Sequence, residues 1–341
     1  MMALQSKHNK PYYAGDRQLT EMIRSLLDNK EKILTDVDLF ESDSEKKSFQ
    51  KLVDDFEDYY RKLHEQKNGT VTARKPVKGK KELITRLFCM MRDKIALVEK
   101  DLAVAEDIQR NLLPDRVPKI EGYDLAAYYH PSRQIGGDYY DFFPIGDNRL
   151  YFIIADVAGH GIPSSLVVSS MQAFIWSQIQ EEKNLYSIVE NLNKYLVKTM
   201  IGGKFVTLFL GGLQIKSGTL TYINAGHNPP YIIRESGKVE ALGAGGPVVG
   251  MIDDASYISG YAVLDEGDIL ACYTDGIVES MNKNDTMFSE RRFLKIIRTE
   301  RKQHLIRIML RLFNDLQRFC DGIPYGDDVT LLFMRKRTKR L

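Results

Sequence analysis

The sequence predicts an α+β sandwich rather than a doubly wound parallel sheet, and three observations support this fold class. Two apolar runs, 205–215 and 219–225, flank Lys216-Ser-Gly218, which is typical of a hairpin turn between paired strands. Helical patterns are collected between groups of strands instead of following every strand in turn. Aspartates stand at the edges of several strand-like runs, where a sheet can bring them together.

The first 67 residues predict a small helical module. Apolar residues at positions i, i+3, i+4 and i+7 indicate an amphipathic helix over 49–63. The next segment, 68–82, combines glycine, proline and basic residues without apolar periodicity, so we predict a linker there. We expect the module at 1–67 to receive a signal or to bind a regulatory protein.

Residues 83–114 predict a coiled coil. With Ile84 at position a, eight of the nine a and d positions are apolar over four heptads, and the exception is Gln109 at a d position. Pro114 ends the helix, because the residue before a proline disfavours helical backbone. We interpret 83–113 as the stalk of a parallel homodimer. The alternative is a long helix that packs on its own domain.

Residues 115–336 predict the main domain. We expect helices at 164–179, 185–200, 293–297 and 304–319, between strands that carry the aspartates. Residues 337–341 predict a solvated basic tail.

Composition excludes few classes of function. The chain has 341 residues and a net charge of +2, which gives no general argument for a nucleic-acid or membrane partner. The cysteines Cys89, Cys272 and Cys320 are too widely spaced for a metal site and fit buried, reduced thiols. The N-terminus lacks a signal-peptide pattern, and the charge-free run 157–180 contains too many polar residues for a membrane span. We therefore expect a cytoplasmic protein.

Four short strings carry most of the functional information. They are GGDYYD at 136–141, ADVAGHG at 155–161, YTDG at 273–276 and GDDVT at 326–330. Any one Asp-Gly pair could be an ordinary turn, but several carboxylates gathered at one rim repel each other unless a cation lies between them. Oxygen ligands without nearby histidine or cysteine suit Mg²⁺ or Mn²⁺ rather than zinc. The strings together predict a hydrolytic site with two divalent cations.

Some roles within these strings stay open. His160 could donate a proton to a leaving group, or it could be a loop histidine that hydrogen-bonds to the backbone. Asp141 and Asp328 are alternates to the neighbouring aspartates as ligands, because successive side chains along a strand point to opposite faces.

From about residue 102 to residue 333 the chain resembles the PPM-type metal-dependent serine/threonine phosphatases, in their bacterial RsbU/SpoIIE branch. Six strings carry the resemblance: Ile108-Gln-Arg-Asn-Leu-Leu-Pro114, Ile135-Gly-Gly-Asp-Tyr-Tyr-Asp141, Asp156-Val-Ala-Gly-His-Gly161, Asn224-Ala-Gly-His-Asn-Pro-Pro230, Tyr273-Thr-Asp-Gly276 and Gly326-Asp-Asp-Val-Thr330. The resemblance implies two antiparallel sheets packed face to face, with helices outside and two Mn²⁺ or Mg²⁺ ions at one rim. Residues 1–80 have no counterpart in it.

The resemblance also implies roles for individual residues. Asp156 would bridge both ions, and the carbonyl of Val157 would bind one of them. Asp275 and Asp327 would hold the other ion, and Asp138 would take the place of the first acidic ligand. The ions would activate a shared water for in-line attack on phosphorus. Arg133 is the nearest candidate for a contact with the substrate phosphate.

The functional hypothesis is a partner-regulated protein phosphatase that acts on phosphoserine or phosphothreonine. By resemblance, its substrate would be a phosphorylated anti-sigma-factor antagonist with a STAS-type fold. The stalk would pass a signal to a movable helix pair, 164–179 and 185–200. Two alternatives are a non-catalytic dimeric adaptor with the same fold and a phosphodiesterase or nucleotide hydrolase that uses the same carboxylates.

Overall fold

The computed structural model describes residues 99–181, 184–200 and 203–338, together with Lys47, Lys51 and Asp54. The chain divides into two compact units, Met1–Lys100 and Asp101–Leu341. In the first unit the three isolated residues are helical and exposed. The remainder of the predicted module, the linker at 68–82 and the stalk residues 83–98 lie outside the described residues.

Eleven strands in the described part of the second unit form two sheets. The strands are β1 (Tyr123–His130), β2 (Asp138–Ile145), β3 (Arg149–Val157), β4 (Val206–Gln214), β5 (Thr219–Ala225), β6 (Tyr231–Ile233), β7 (Val239–Ala241), β8 (Gly245–Gly246), β9 (Gly260–Val263), β10 (Ile269–Tyr273) and β11 (Val329–Lys336). One sheet has the order β1-β11-β10-β6-β7. The other has the order β2-β3-β4-β5-β8, with β9 also paired to β5.

The helices of this unit lie outside the two sheets. They are α1 (99–112, of which 101–112 belong to this unit), α2 (Ile162–Gln180), α3 (Leu185–Thr199), the single turn α4 (Asp275–Val278), α5 (Glu290–Glu300) and α6 (Leu305–Cys320). One apolar cluster joins α2 and α3 to the β2–β5 sheet, and a second joins α5 and α6 to the β1–β11–β10 sheet. A third cluster contains residues of both sheets, which shows that the sheets pack face to face.

Strand β3 illustrates why the central strands are apolar almost throughout. Leu150, Phe152 and Ile154 lie in the cluster between the sheets. Tyr151 and Ile153 alternate with them and face the helices. A strand that is covered on both faces needs apolar residues at every position, so an unbroken run replaces the usual alternation.

The structure confirms the predicted α+β fold, with one correction. The pairing of β5 with β8 is parallel, so the sheet that contains them is mixed and not wholly antiparallel. A Cβ on Gly245 would lie 1.7 Å from the backbone oxygen of Asn224, so only glycine allows the two-residue strand β8 to lie this close to β5.

The C-terminal end of the described chain is held by two hydrogen bonds. Arg337, the first residue of the predicted basic tail, donates from its backbone N–H to Gly122 and from its side chain to Asp124.

Among the described helices, none combines the length and the hydropathy that crossing a bilayer requires.

Candidate metal-binding site at the rim of the sandwich

Asp138 and Asp156 lie directly opposite each other on neighbouring strands. Asp138 begins β2, Asp156 is the penultimate residue of β3, and the two are paired in the antiparallel register. Asp156 shares the strand face of Phe152 and Ile154, which lie in the cluster between the sheets. Both carboxylates therefore stand at the edge of the space between the two sheets.

The Asp138 carboxylate is buried and is held by the opposite sheet. The hydroxyls of Thr274 and Thr330 both donate to its Oδ2, at 2.7 and 2.5 Å. Burial raises the pKa of Asp138 well above its ordinary value, and the charges of Asp156 and Asp328 add to the shift. The two threonine hydrogen bonds oppose it.

The Asp328 carboxylate is also buried, and it is hydrogen-bonded on both oxygens. Its Oδ1 accepts the backbone N–H and the hydroxyl of Ser132, at 2.7 and 3.0 Å. Its Oδ2 accepts the N–H of Gly137 at 2.5 Å and that of Asp138 at 3.3 Å. We call Asp138, Asp328 and the groups that donate to them the clamp, because they join β2 to β11 across the two sheets.

Two glycines make this close approach possible. A Cβ on Gly136 would lie 2.4 Å from Oδ2 of Asp328, and one on Gly276 would lie 1.9 Å from the backbone oxygen of Asp328. Any side chain at either position would therefore displace the clamp. Gly136 and Gly276, which belong to the GGD and TDG strings, are thus required by the close packing at this rim.

A second group of carboxylates lies nearby, and we call Asp156, Asp275 and Asp327 the acidic rim. Asp156 and Asp275 are half-buried, whereas Asp327 is exposed. Burial is the main cause that raises the pKa of Asp156 to about 7, and the charges of Asp275 and Asp327 are the next causes. Burial, followed by the charge of Asp327, raises the pKa of Asp275 to about 6. Three residues from three separate strings therefore repel one another.

The loop after Asp156 is fixed by backbone and lysine contacts. Ala158 donates its N–H to the carbonyl of Phe205 at 2.9 Å. The ammonium group of Lys204 donates to the carbonyl of Ala158 at 2.8 Å and to the hydroxyl of Ser164 at 3.2 Å. These bonds connect the loop to the start of β4 and to the first turn of α2.

Helix α1 contacts the segment that leads into the clamp. The side-chain amide of Gln109 donates to the carbonyl of Gly136 at 2.7 Å and accepts the Gly136 N–H at 2.9 Å. Gln109 is buried. The one polar residue in the predicted coiled-coil seam therefore faces its own domain, two residues before Asp138.

The other predicted site residues lie in different surroundings. His160 is exposed in the loop after Asp156. Arg133 is exposed and lines a cleft of about 810 Å³ beside α1, together with Tyr128 and His130. Asp141 accepts the Tyr139 hydroxyl at 2.8 Å, on the face of β2 opposite to Asp138.

Sequence reasoning did not assign four of these contacts. Thr274 and Thr330 belong to the quoted strings, and their position beside an aspartate was the available signal. Gln109 was visible only as a polar residue in an apolar seam. Lys204 had no signal, because its partner loop lies more than forty residues earlier in the chain.

The oxygen atoms at the rim are of the kind that a hard divalent cation prefers as ligands. The carboxylates of Asp156 and Asp275, whose pKa values are raised, gain free energy when a cation replaces the bound protons. The Val157 carbonyl adds a neutral oxygen, and it lies beside Gly137, whose added Cβ would be 2.9 Å from it. Across the described ranges 99–181, 184–200 and 203–338, no three His, Cys, Asp or Glu side chains are grouped so that they could hold a metal ion.

Comparison with protein families identifies one matching model. Residues 146–337, more than half of the chain, match the family described as Stage II sporulation protein E, or SpoIIE. The matched range begins within the loop before β3 and ends just after β11, so it contains the acidic rim and Asp328.

Two curated proteins and two solved structures are also similar. The chain is 26% identical to Protein IcfG of Synechocystis sp. over 259 residues, which cover 68% of this chain and 41% of IcfG. It is 28% identical to phosphoserine phosphatase RsbU of Bacillus subtilis over 242 residues, which cover 70% of this chain and 71% of RsbU. The chain thus spans less than half of the length of IcfG.

Among solved structures, the SiaA-PP2C domain of Pseudomonas aeruginosa superposes with a TM-score of 0.63 at 22% identity, over 70% of this chain and 97% of that domain. The RsbU and RsbW domains of Rv1364c from Mycobacterium tuberculosis superpose with a TM-score of 0.58 at 27% identity, over 67% of this chain and 64% of that one. The SiaA likeness supports the fold alone.

Proposed function

The chain belongs to the SpoIIE family, and we propose that it is a metal-dependent protein phosphatase that hydrolyses phosphoserine or phosphothreonine. RsbU, a relative at 28% identity, is named a phosphoserine phosphatase. The substrate class proposed for this chain is a phosphorylated protein, with a STAS-type anti-sigma-factor antagonist as the specific candidate.

The acidic rim is the proposed catalytic centre. Asp156, Asp275 and Asp327 would hold two divalent cations, Mn²⁺ or Mg²⁺, with the Val157 carbonyl as a further ligand. When bound, the cations would supply an activated water and neutralise charge on the phosphoryl oxygens. Asp138 would complete the set from the clamp, since Thr274 and Thr330 fix its orientation.

Two exposed residues would act on the substrate. His160, in the loop directly after Asp156, would give a proton to the leaving seryl or threonyl oxygen. The Arg133 guanidinium would bind phosphoryl oxygens, and the hydrogen bonds of its neighbour Ser132 to Asp328 hold this segment against the clamp.

The observation that carries the proposal is the electrostatic coupling of Asp156, Asp275 and Asp327. The charges of Asp275 and Asp327 raise the pKa of Asp156, which lies more than one hundred positions earlier in the chain, and Asp327 raises the pKa of Asp275, as expected of a site that is completed by cations. A structural ion-pair network would instead place basic side chains between these carboxylates.

The direct test is hydrolysis of a phosphoserine peptide and of a chromogenic phosphate monoester, each with Mn²⁺ and with EDTA. We expect Mn²⁺-dependent turnover in the wild type and a loss of at least about a thousandfold in Asp156→Asn. The matched control is Asp253→Asn, an exposed aspartate that belongs to neither the clamp nor the acidic rim, which should keep wild-type rates.

Other outcomes separate the alternatives. Faster hydrolysis of a phosphodiester than of either monoester would favour the phosphodiesterase. No Mn²⁺-dependent hydrolysis of any ester, with and without candidate partners, would favour the non-catalytic adaptor.

We further propose that α1 carries regulation into this site. A partner or signal at residues 1–67 would act through a dimeric stalk at 83–113 and on the helix pair α2–α3. Gln109 is the contact that supports this route, because it exchanges two hydrogen bonds with the segment that leads into Asp138.

The regulatory proposal is tested with Gln109→Leu in the full chain. We expect the apparent Mn²⁺ affinity to change by at least about fivefold while the circular-dichroism spectrum stays unchanged. Arg110→Leu, an exposed neighbour whose side chain pairs with Glu106, is the control. Equal Mn²⁺ affinities in the wild type and Gln109→Leu would contradict a role for this contact.

A further inference from the structure

The outer helices α5 and α6 form a strongly basic surface. Residues 289–320 contain nine lysines and arginines and three acidic residues, whereas the whole chain carries a net charge of only +2. The rest of the protein is therefore net negative, and this helical hairpin carries a net excess of positive charge. Such an excess attracts acidic partners.

A groove of about 540 Å³ runs between these two helices. Helix α5 supplies Arg292 and Lys295 to one wall, and α6 supplies Arg311 and Arg318 to the other. All four side chains are exposed. The acidic residues Asp315 and Glu300 also line the groove, so its charge is positive on balance but not uniform.

The floor of the groove is apolar and one wall is fixed in place. Phe288 is buried, and Phe319 and Ile296 are half-buried. The guanidinium of Arg292 donates to the carbonyls of Met287 and Phe288 at 3.0 and 2.9 Å and lies 4.7 Å from the centre of the Phe319 ring. This arginine is thus positioned before any partner arrives, which lowers the entropic cost of binding.

Two cations in the groove have no acidic partner within the chain as described. Arg311 is 3.1 Å from Asp315, on its own helix. Within the described ranges, Lys295 and Arg318 take part in no salt bridge, and they stand on opposite walls. An incoming carboxylate could pair with either side chain without displacing an internal partner.

We propose that the α5–α6 groove docks an acidic, amphipathic segment of a partner protein. Its apolar side chains would cover the floor of Phe288, Ile296 and Phe319, and its carboxylates would pair with Lys295 and Arg318. A nucleic-acid backbone is less complementary, because it offers no aliphatic group to the apolar floor. The proposal does not depend on catalysis at the acidic rim.

The test is fluorescence anisotropy with the full chain and a labelled peptide of about 16 residues, with glutamate and leucine at the spacing of an amphipathic helix. Salt is kept at about 0.15 M, so that long-range attraction is screened. The groove variant is Lys295→Glu with Arg318→Glu. The control variant is Arg291→Glu with Arg298→Glu, two exposed residues of α5 that do not line the groove and that produce the same change in charge.

We expect the groove variant to weaken peptide binding at least about tenfold and the control variant less than about twofold. A polyglutamate peptide and single-stranded DNA should bind more weakly than the amphipathic peptide. The proposal is overturned if the amphipathic peptide does not bind the wild type, or if both variants weaken it equally. It is also overturned if polyglutamate or DNA binds as tightly as the peptide.

Discussion

The clamp and the acidic rim lie at the same edge of the sandwich, but their carboxylates are stabilised in different ways. In the clamp, Asp328 accepts four hydrogen bonds from Ser132, Gly137 and Asp138. In the acidic rim, every neighbour that shifts the pKa of Asp156 raises it. Asp328 is thus satisfied by donors from the protein, whereas Asp156 is surrounded by acidic neighbours.

This difference separates a structural role from a functional one. Buried carboxylates with enough donors can be ionised without a cation, and removing them leaves backbone N–H groups unsatisfied. Carboxylates that face one another carry a free-energy cost that only protons or cations remove. The clamp should therefore matter most for folding and the acidic rim most for metal binding and turnover.

The largest expected effect is the loss of turnover in the Asp156→Asn variant. Its side chain has nearly the same shape but no charge, so hydrolysis should fall at least about a thousandfold, or roughly 4 kcal/mol. In EDTA the variant should be as stable as the wild type or more stable, because repulsion within the acidic rim is relieved. Turnover with Mn²⁺ and thermal unfolding with EDTA are the two measurements. A variant that unfolds at a much lower temperature would place Asp156 among the structural carboxylates instead.

Asp328→Ala should have the next largest effect, and it should appear as lost stability. The substitution leaves buried N–H groups of Gly137 and Asp138 without an acceptor, which costs about 3 kcal/mol. Urea unfolding in EDTA measures this change. Asp327→Ala is the matched control: its carboxylate is exposed and accepts a single hydrogen bond, from the Asp328 N–H at 2.8 Å, so metal-free stability should change by less than about 1 kcal/mol. Equal losses in the two variants would remove the distinction between clamp and acidic rim.

Metal-free stability should also depend on pH. The pKa values of Asp156 and Asp275 are raised to about 7 and about 6 in the folded protein, so the folded state binds more protons than the unfolded state above pH 4. Stability should therefore fall by about 5 kcal/mol between pH 4.5 and 7.5, with little further change above that range. Urea unfolding in EDTA across this range measures the slope.

The Asp156→Asn variant isolates the part of this slope that arises from the acidic rim. Its free energy of unfolding should decrease clearly less than that of the wild type between pH 4.5 and 7.5. Saturating Mn²⁺ should also reduce the decrease that the wild type shows. Identical slopes in the two proteins would contradict the raised pKa of Asp156.

The smallest expected effect concerns the threonines of the clamp. Thr330→Val keeps the shape of a buried strand residue but removes one of the two hydroxyls that donate to Asp138. The free energy of unfolding should fall by about 1 to 2 kcal/mol. Thr221→Val, on a partly exposed strand position of β5, is the control and should change it by less than about 0.5 kcal/mol. A larger effect in the control would remove the special role of the Thr330 hydroxyl.

Much of this fold could be predicted because its central strands are covered on both faces. The run 269–273 has no polar residue, and strand β10 begins and ends at the same residues as this run, Ile269 and Tyr273. Helix α6 was predicted at 304–319 and lies at Leu305–Cys320, because its apolar residues keep a strict helical spacing. Strand β8 was not predicted, since two glycines carry no apolar pattern.

The candidate site was predictable in part. Short strings identified Asp138 and Asp156, and the register of β2 and β3 places them opposite each other. The threonine donors depend on how the two sheets stack, because Thr330 and Asp138 are 192 positions apart. Gln109 shows a related limit: heptad spacing identifies the buried face of a helix but not what that face contacts. The parallel dimer stays a prediction.

The most direct measurement is a crystal structure of the full chain with Mn²⁺, with diffraction data collected at the manganese absorption edge. We predict anomalous peaks within about 2.5 Å of carboxylate oxygens of Asp156, Asp275 and Asp327. Fully loaded crystals without an anomalous peak at these carboxylates would contradict it.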